Sequence, residues 1–423
     1  MLVPSPLDRA AESYVKLVLA LGVHQPDYVD AFYGPPAWRQ EAEARKDSLE
    51  AIRDQGRSLL ADLEGTPERG AEIVRLRHRY LVVQTRSLVA RAEMALGRKF
   101  SFDEESKALY DAVEPDRPLS YFEEGLRKLE TVVPGSGPLG VRYQAFNLKF
   151  SIPRDRLERV YRTAIDESRR RTRRYLKLPA GEAFDVEYVS DKPWSAYNWY
   201  KGQAKSLIQV NADFPIDVDR LINLAAHEGY PGHHVYNALL EGHLLRQRGW
   251  AEFCVYALYS PQSLIAEGTA EFGFELAYPL EERREFAQRV LMPMAGLDAG
   301  EAERYFAVRS AAAVLNQAGN AAARQYLDGK MTREAVVEWL QKYVSLKPPD
   351  DPYTVTLERA LQVIEEKKIA DANRLILDFP EAGIQVLNGR FGPYITDKER
   401  NARIPKGEDP KSLTLEHCRE LLA

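Results

Sequence analysis

Four of the chain's seven histidines, His227, His233, His234 and His243, fall within one short span, and the first is followed at once by Glu228. A hydrolytic zinc site needs two or three neutral imidazoles or carboxylates on the ion, an open position for water, and a nearby carboxylate to take that water's proton. His227, Glu228 and His233 supply most of that set. The third ligand should come from a separate segment, and IAEGTAEFGFELA offers Glu267 and Glu271, four residues apart and therefore on one helical face. Glu267 is the candidate ligand. Glu271, one turn on, is the candidate to orient a ligating imidazole through its free N–H. The expected cofactor is one Zn2+ per chain, with Glu228 as the base.

The histidine spacing sets a condition. In H-E-x-x-H the two imidazoles are four residues apart on one face, whereas His227 and His233 are six apart. On an unbroken helix six residues rotate about 240° and rise roughly 9 Å, while two nitrogens on one zinc lie within about 3.5 Å of each other. The helix must deform between them. Pro231 and Gly232 occupy that interval, one removing a backbone donor and the other accepting dihedrals closed to other residues. A local bulge there would return His233 to the metal face.

Each fragment alone is commonplace: a His-Glu pair carries little information, and two glutamates four apart are usually a solvated helix face. Their surroundings distinguish them. Glu267 and Glu271 lie among Leu264, Ile265, Ala266 and Ala270, and Glu228 closely follows the apolar run LINLAA. Buried carboxylates without a cation are costly, and a single ion accounts for all of them. His234 is a candidate for substrate or oxyanion contact, or for replacing His233 as ligand. Tyr230 and Tyr236 are further oxyanion candidates, as are Arg304 and Arg309, and His243 is expected at the surface.

The elements that must position these residues are mostly helical. From Pro6 to about Leu176 apolar residues recur at three and four spacing, with breaks at YGPPAW, EGTPERG and VVPGSGPLG. The arginines between Arg169 and Arg174 read as a solvated helix face, since Asp166 and Glu167 sit beside them. Alternation at Phe184, Val186 and Tyr188, then SLIQVNADFP, predicts a small sheet between about 182 and 214. Asp217 or Asp219 should cap the helix that runs into His227. The strand Ser206 to Asn211 is expected at a sheet edge, where an extended substrate would pair with it and Asn211 would contact that substrate. Long helices then resume from about Arg248 to Val344. SLKPPD predicts a linker over 345–352, because consecutive prolines end a helix and stiffen the residues beyond it. The expected domains are 1–344 and 353–423. The fold class is mainly α with a small β-sheet, plus a small α+β carboxy-terminal module.

With 423 residues, a formal net charge of −5 and 29% charged residues, the chain has no global basic excess of the kind a nucleic-acid-coating protein carries. Its mean hydropathy of −0.41 fits a globular protein without membrane spans. Cys254 and Cys418 lie far apart and lack a CxxC spacing, which indicates neither a disulfide framework nor a thiolate zinc site. The amino terminus lacks a basic region and its apolar stretch is broken by charges, so a cytoplasmic location is expected.

The motif His227, Glu228, Pro231, Gly232, His233, followed by Glu267, Gly268, Ala270 and Glu271, resembles a large bacterial family of unknown function. Its members look like zinc peptidases of the thermolysin-like clan, with the hallmark H-E-x-x-P-G-H. The segment YVDAFYGPP also resembles the family, and the resemblance spans about residues 6 to 344. It implies a mostly helical zincin-like fold, bound zinc, and hydrolysis of a peptide or amide, with Glu228 deprotonating the attacking water. Family members continue past LQKY into an Arg- and Tyr-rich segment that this chain lacks.

From about Tyr353 the sequence resembles something else, the carboxy-terminal repeat of bacterial type I DNA topoisomerases. Gly389, Arg390, Phe391, Gly392, Pro393 and Tyr394 are its most specific part. The expected unit is a helix, a strand pair around the Gly-Arg turn, and a closing helix capped near Thr414. Eleven Lys/Arg face twelve Asp/Glu after Asp351, so any DNA affinity must come from a local patch including Arg390, Lys398, Arg400 and Arg403. The alternative function is therefore a DNA-associated binding protein whose peptidase-like domain has degenerated.

Overall fold

The computed structural model describes residues 5–192, 194–343, 375–379, 382, 384–389, 392–397, 401–404, 410 and 413–422. The chain divides into two compact units, Met1–Thr354 and Val355–Ala423. The expected linker over 345–352 and the helix expected after Tyr353 lie outside the described residues.

The first unit is mainly α. Its helices in chain order begin with α1 (Pro6–His24), followed by strand β1 (Val29–Phe32), α2 (Pro36–Arg45), α3 (Leu49–Gly65), α4 (Glu72–Ala95), α5 (Phe102–Tyr110), α6 (Leu119–Val132), α7 (Leu139–Leu148) and α8 (Arg154–Thr172). Strands β2 (Ala183–Val189), β3 (Ala196–Gly202) and β4 (Lys205–Asn211) come next, then α9 (Val218–Leu224), α10 (His233–Leu240), β5 (Val255–Ala257) and α11 (Pro261–Ala277). The unit continues with α12 (Leu280–Phe286), α13 (Met292–Ala295), α14 (Ala302–Ala313), α15 (Ala318–Leu327) and α16 (Arg333–Tyr343).

Local sequence explains the ends of these helices. Ser5 at the N-cap and Asp8 at the third helical position form a reciprocal capping box around Pro6, which satisfies two of the amides that a helix start leaves open. α1 then buries Tyr14, Val15, Val18 and Leu21 in a core shared with Ile52, Leu63, Leu81, Leu88, Val255 and Ala257. Strand β1 lies within a stretch whose spacing predicts only helices. It pairs antiparallel with β5, more than two hundred residues away, with Val29 opposite Ala257 and Phe32 opposite Val255. No local periodicity announces so distant a partner.

The sheet expected between 182 and 214 is present in the order β2-β4-β3. Its arrangement corrects one expectation. β4 is the central strand, parallel to β2 and antiparallel to β3, so its backbone groups are paired on both sides and no substrate can add to it. The alternation of apolar residues reported a strand, but it does not distinguish centre from edge.

The arginines of α8 are also less solvated than expected. Arg171 is buried, donating to Ala277 O and Glu282 at 2.7 Å each, and Arg169 pairs with the buried Glu182. Both cysteines are free and buried. Among the described residues, no helix is long and apolar enough to cross a membrane.

The second unit contains an antiparallel sheet in the order β6 (Leu375–Phe379), β7 (Ile384–Gly389), β8 (Gly392–Thr396), β9 (Asn401–Arg403), and a helix α17 (Leu415–Leu422). Gly389 pairs with Gly392 across the turn. Thr414 Oγ1 accepts from the His417 amide at the start of the helix. Ile384, Val386, Ile395, Leu413, Cys418 and Leu422 form its core.

One buried ion pair ties α4 to the segment leading into β5. Arg77 donates through Nε and Nη2 to the two carboxylate oxygens of Glu252 at 2.6 and 3.0 Å, and Glu252 is fully buried. Burial pushes the Glu252 carboxyl above its ordinary pKa despite the pull of Arg77. Removing one partner of such a pair leaves an uncompensated charge. Arg77→Ala should therefore cost about 3–5 kcal/mol in denaturant unfolding, while Arg77→Met combined with Glu252→Leu should recover most of that loss. Equal losses in the single and double variants would assign the cost to packing instead.

Candidate metal centre

α9 starts on Asp217, whose side chain accepts from the Arg220 amide at 2.9 Å, and its apolar face is buried through Ala226. From Ala225 to Gly229 the helix widens into a π-helical turn. The Tyr230 amide reaches back to Ala225 O at 3.1 Å, and the Gly232 amide to Ala226 O at 2.9 Å. These bonds span five and six residues instead of four. The excursion starts before Pro231, and the Tyr230–Pro231 peptide is cis. It returns His233, the first residue of α10, to the face that carries His227, and the two rings pack edge to face with centroids 4.7 Å apart.

Glycine is required twice at this crossing. A Cβ on Gly232 would lie 1.8 Å from the His227 carbonyl oxygen, and one on Gly273 of α11 would lie 2.9 Å from Pro231 Cγ. The first contact is with backbone, so no side-chain rotation relieves it. The second lets α11 approach closely enough to present Glu267 and Glu271.

Glu267 meets both histidines, with Oε2 at 3.2 Å from His227 Nε2 and Oε1 at 3.3 Å from His233 Nε2. One ligand atom from each of these three residues lies within 4.8 Å of the other two. On its other side, His227 Nδ1 faces Glu271 Oε2 at 3.4 Å. A proton on Nδ1 leaves Nε2 as the free lone pair aimed at the centre. The imidazoles are largely enclosed, whereas the Glu267 and Glu271 side chains are 58% and 56% exposed. Two imidazoles and one carboxylate, with an approach from solvent, form the donor set that zinc takes in open hydrolytic sites.

Electrostatics around the triad point the same way. Burial alone would depress the His227 ring, but Glu267 and Glu271 outweigh it and push its pKa up to about 10. Packing works against the Glu267 charge too, yet the bonds from His227 and His233 hold its carboxyl far below the usual range. The bond from His227, and then that from Asn223, hold Glu271 low as well. Without a metal these carboxylates turn an imidazole into a cation.

Glu228 lies on the π-turn beside His227. It is buried, its carbonyl accepts from Asn198 Nδ2 at 2.7 Å, and its charge acts on the His227 ring. His234 points elsewhere. It is fully buried, with Nδ1 at 2.9 Å from Ser206 Oγ and Nε2 at 3.2 Å from Glu182, and burial lowers its pKa against the pull of Glu182. With both nitrogens engaged, it braces α10 against β4 and offers no ligand atom in place of His233.

Asn211 is likewise committed. Its amide nitrogen donates to Lys192 O at 2.9 Å and its oxygen accepts from the Asp213 amide at 3.0 Å, so it closes the turn after β4, where it is buried away from any substrate. The Tyr230 hydroxyl donates to Glu182 at 2.5 Å. Arg309 faces Asp217 and Asp219, Arg304 pairs with Glu301, and His243 is exposed beside Gln247. Arg390, Lys398 and Arg400 lie outside the described residues, and Arg403 is placed on β9.

Two residues near the centre carry no local motif. Asp30 on β1 accepts from the Tyr197 hydroxyl on β3, and burial raises its carboxyl, with Tyr197 and His233 opposing and Glu267 reinforcing that rise. The one signal for Asp30 in the sequence is its place within YVDAFYGPP.

The Gly232 contact yields a direct test. Gly232→Ala should destabilise the protein by about 1–3 kcal/mol, as overpacking typically does, and should abolish retention of metal. The checks are chemical denaturation and elemental analysis of the purified variant. Unchanged stability with metal retained would show that the turn tolerates the methyl group.

The family model described as Topoisomerase C-terminal repeat matches residues 328–374 and 380–423. Its first stretch begins upstream of α16 and its second covers β7 to α17. The chain is similar over 80 residues to DNA topoisomerase 1 of Xylella fastidiosa, at 58% identity, covering 19% of this chain and 10% of that protein. It is 40% identical over 88 residues to DNA topoisomerase 1 of Mycobacterium tuberculosis, covering 19% and 9%. The chain thus spans about a tenth of the length of these curated relatives. A solved structure, the "putative lipoprotein" from Colwellia psychrerythraea, aligns with 78% of this chain and 62% of its own at 16% identity and a TM-score of 0.40. The carboxy-terminal segment is therefore similar to the repeat of type I topoisomerases.

Proposed function

We propose that the first unit is a zinc-dependent hydrolase and, from the resemblance of its motif, a metallopeptidase acting on a peptide or amide. The observation that carries this reading is the meeting of His227 and His233 on Glu267, at 3.2 and 3.3 Å, across a helix that deforms to allow it. Those three residues would hold one zinc. When bound, it supplies Lewis acidity and makes a water readily deprotonated. Glu228 would be the general base, accepting a proton from the attacking water on a carboxylate oxygen and returning it to the departing amine. Glu271 would hold the proton on His227 Nδ1, so that Nε2 is the nitrogen that gives up its proton when the metal binds. Asp30, which accepts from the Tyr197 hydroxyl, lies close enough for its charge to interact with His233 and Glu267.

A second reading concerns the carboxy-terminal unit, and its similarity to the topoisomerase repeat favours it. That unit contacts DNA through a local patch that includes Arg390, Lys398, Arg400 and Arg403. Near-neutral charge after Asp351 makes such contact weak and salt-dependent.

Elemental mass spectrometry of chelator-rinsed protein tests the first reading. About one zinc per chain should be found in the unmodified protein and none in His227→Ala or Glu267→Ala. Glu228→Gln should keep its zinc and lose about 10^2- to 10^4-fold in peptide hydrolysis, the usual worth of a general base. No zinc in folded, unmodified protein would overturn the hydrolase reading. Tight zinc without turnover, together with salt-dependent DNA binding, would favour the alternative of a degenerate peptidase-like domain in a DNA-associated protein.

A further inference from the structure

The carboxylate that orients His227 is itself held from behind. Asn223 lies one helical turn before His227 on α9 and is mostly buried. Its Nδ2 donates to Glu271 Oε2 at 3.1 Å, the same oxygen that faces His227 Nδ1. Its Oδ1 accepts from Arg220 Nη1 at 2.6 Å, and Arg220 Nη2 donates to Ser195 Oγ at 2.6 Å. An asparagine amide has two distinct ends. The Arg220 guanidinium is donor-only, so it can donate only to the oxygen end, and Nδ2 is thereby directed at Glu271.

We infer that Asn223 and Arg220 are positioning residues of the metal centre, acting through Glu271 to fix the orientation of the His227 ring. This rests on the hydrolase reading and extends it to residues outside the H-E-x-x-P-G-H and E-G-x-A-E motifs. The physical need is specific. Glu271 is more than half exposed and its contact with His227 is long, at 3.4 Å, so a glutamate held by that contact alone would spread over several rotamers. A second donor on the same oxygen restricts it. Arg220 links the arrangement to Ser195, immediately before β3, so the sheet and the metal-bearing helix share one hydrogen-bonded chain. The helix spacing fits, because residues four apart occupy one face and Asn223 therefore stands beneath His227.

The test is a double-mutant cycle read by zinc affinity, using competition with a chromophoric chelator on the full chain. Asn223→Ala should raise the zinc Kd about tenfold, at the low end of what losing an outer partner of a ligand costs. Combined with Glu271→Ala it should add little to the effect of Glu271→Ala alone, since both act on one element. Asn223→Asp keeps the side chain's size and its contact with Arg220 but sets a carboxylate against Glu271, and it should weaken zinc at least as much. This variant serves if Asn223→Ala fails to fold. Thermal unfolding of the metal-free proteins separates general destabilisation from loss of the site. Unchanged zinc affinity in both Asn223 variants, or equal losses with and without Glu271, would overturn the inference while leaving the metal centre intact. Absence of zinc binding by the unmodified protein would overturn both readings.

Discussion

Two imidazoles six residues apart are held against one carboxylate, and the surrounding structure serves to keep them there. A regular helix would place them on different faces, so α9 opens into a π-turn and the chain re-enters a helix only at His233. That path brings Gly232 against the His227 carbonyl, which leaves no room for any other residue. It also sets Pro231 where α11 must cross, and Gly273 makes that crossing narrow enough for Glu267 to reach both rings. The arrangement concentrates negative charge. In the absence of a cation, the carboxylates stabilise a proton on His227, and a divalent ion would meet the same need more completely.

The rest of the first unit fixes the two helices that contribute to the centre. α11 follows β5 almost directly, and β5 pairs with β1, which carries Asp30. A strand pair joining residues so distant in sequence makes the position of Glu267 depend on the amino-terminal helices, since α1, α3 and α4 share a core with β5. The three-stranded sheet supports the other helix. Asn198 on β3 holds the Glu228 carbonyl, and Ser206 on β4 holds His234. His234 is best understood as such a brace. Its position beside His233 suggests chemistry, but its burial and its two hydrogen bonds assign it to the scaffold.

The triad and its geometric condition were legible in the sequence because they rest on residue types and helical arithmetic. His227, His233 and Glu267 meet as the spacing requires, and the helix deforms in the interval that contains Pro231 and Gly232, although it begins to do so at Ala225. What could not be read is non-local. Alternation predicted the small sheet but not that β4 is its centre, so the expected substrate contact at Asn211 gives way to a closed turn. β1 is too short to stand out among helices and is defined by a partner more than two hundred residues on. Asn223 and Arg220 belong to no motif, and only the crossing of α11 brings Glu271 to Asn223, which Arg220 holds from the other side. In the carboxy-terminal unit the strand pair around Gly389 and Gly392 is where the sequence placed it, because a turn flanked by glycines is a local signal.

The two units pose different physical problems. A metal centre gains from enclosure, because desolvated groups interact more strongly than they do in water; the first unit encloses His227 and His233 but leaves the Glu267 and Glu271 side chains more than half exposed. Contact with nucleic acid needs exposed cations, and its affinity scales with the phosphates neutralised. With eleven basic and twelve acidic residues after Asp351, the tail would attract DNA only where its cations cluster. Its basic residues between Arg390 and Arg403 are interleaved with Asp397 and Glu399, which limits how many phosphates one patch can meet. Any DNA contact by this tail would therefore be modest. A protein relying on this unit alone would release DNA readily at physiological salt.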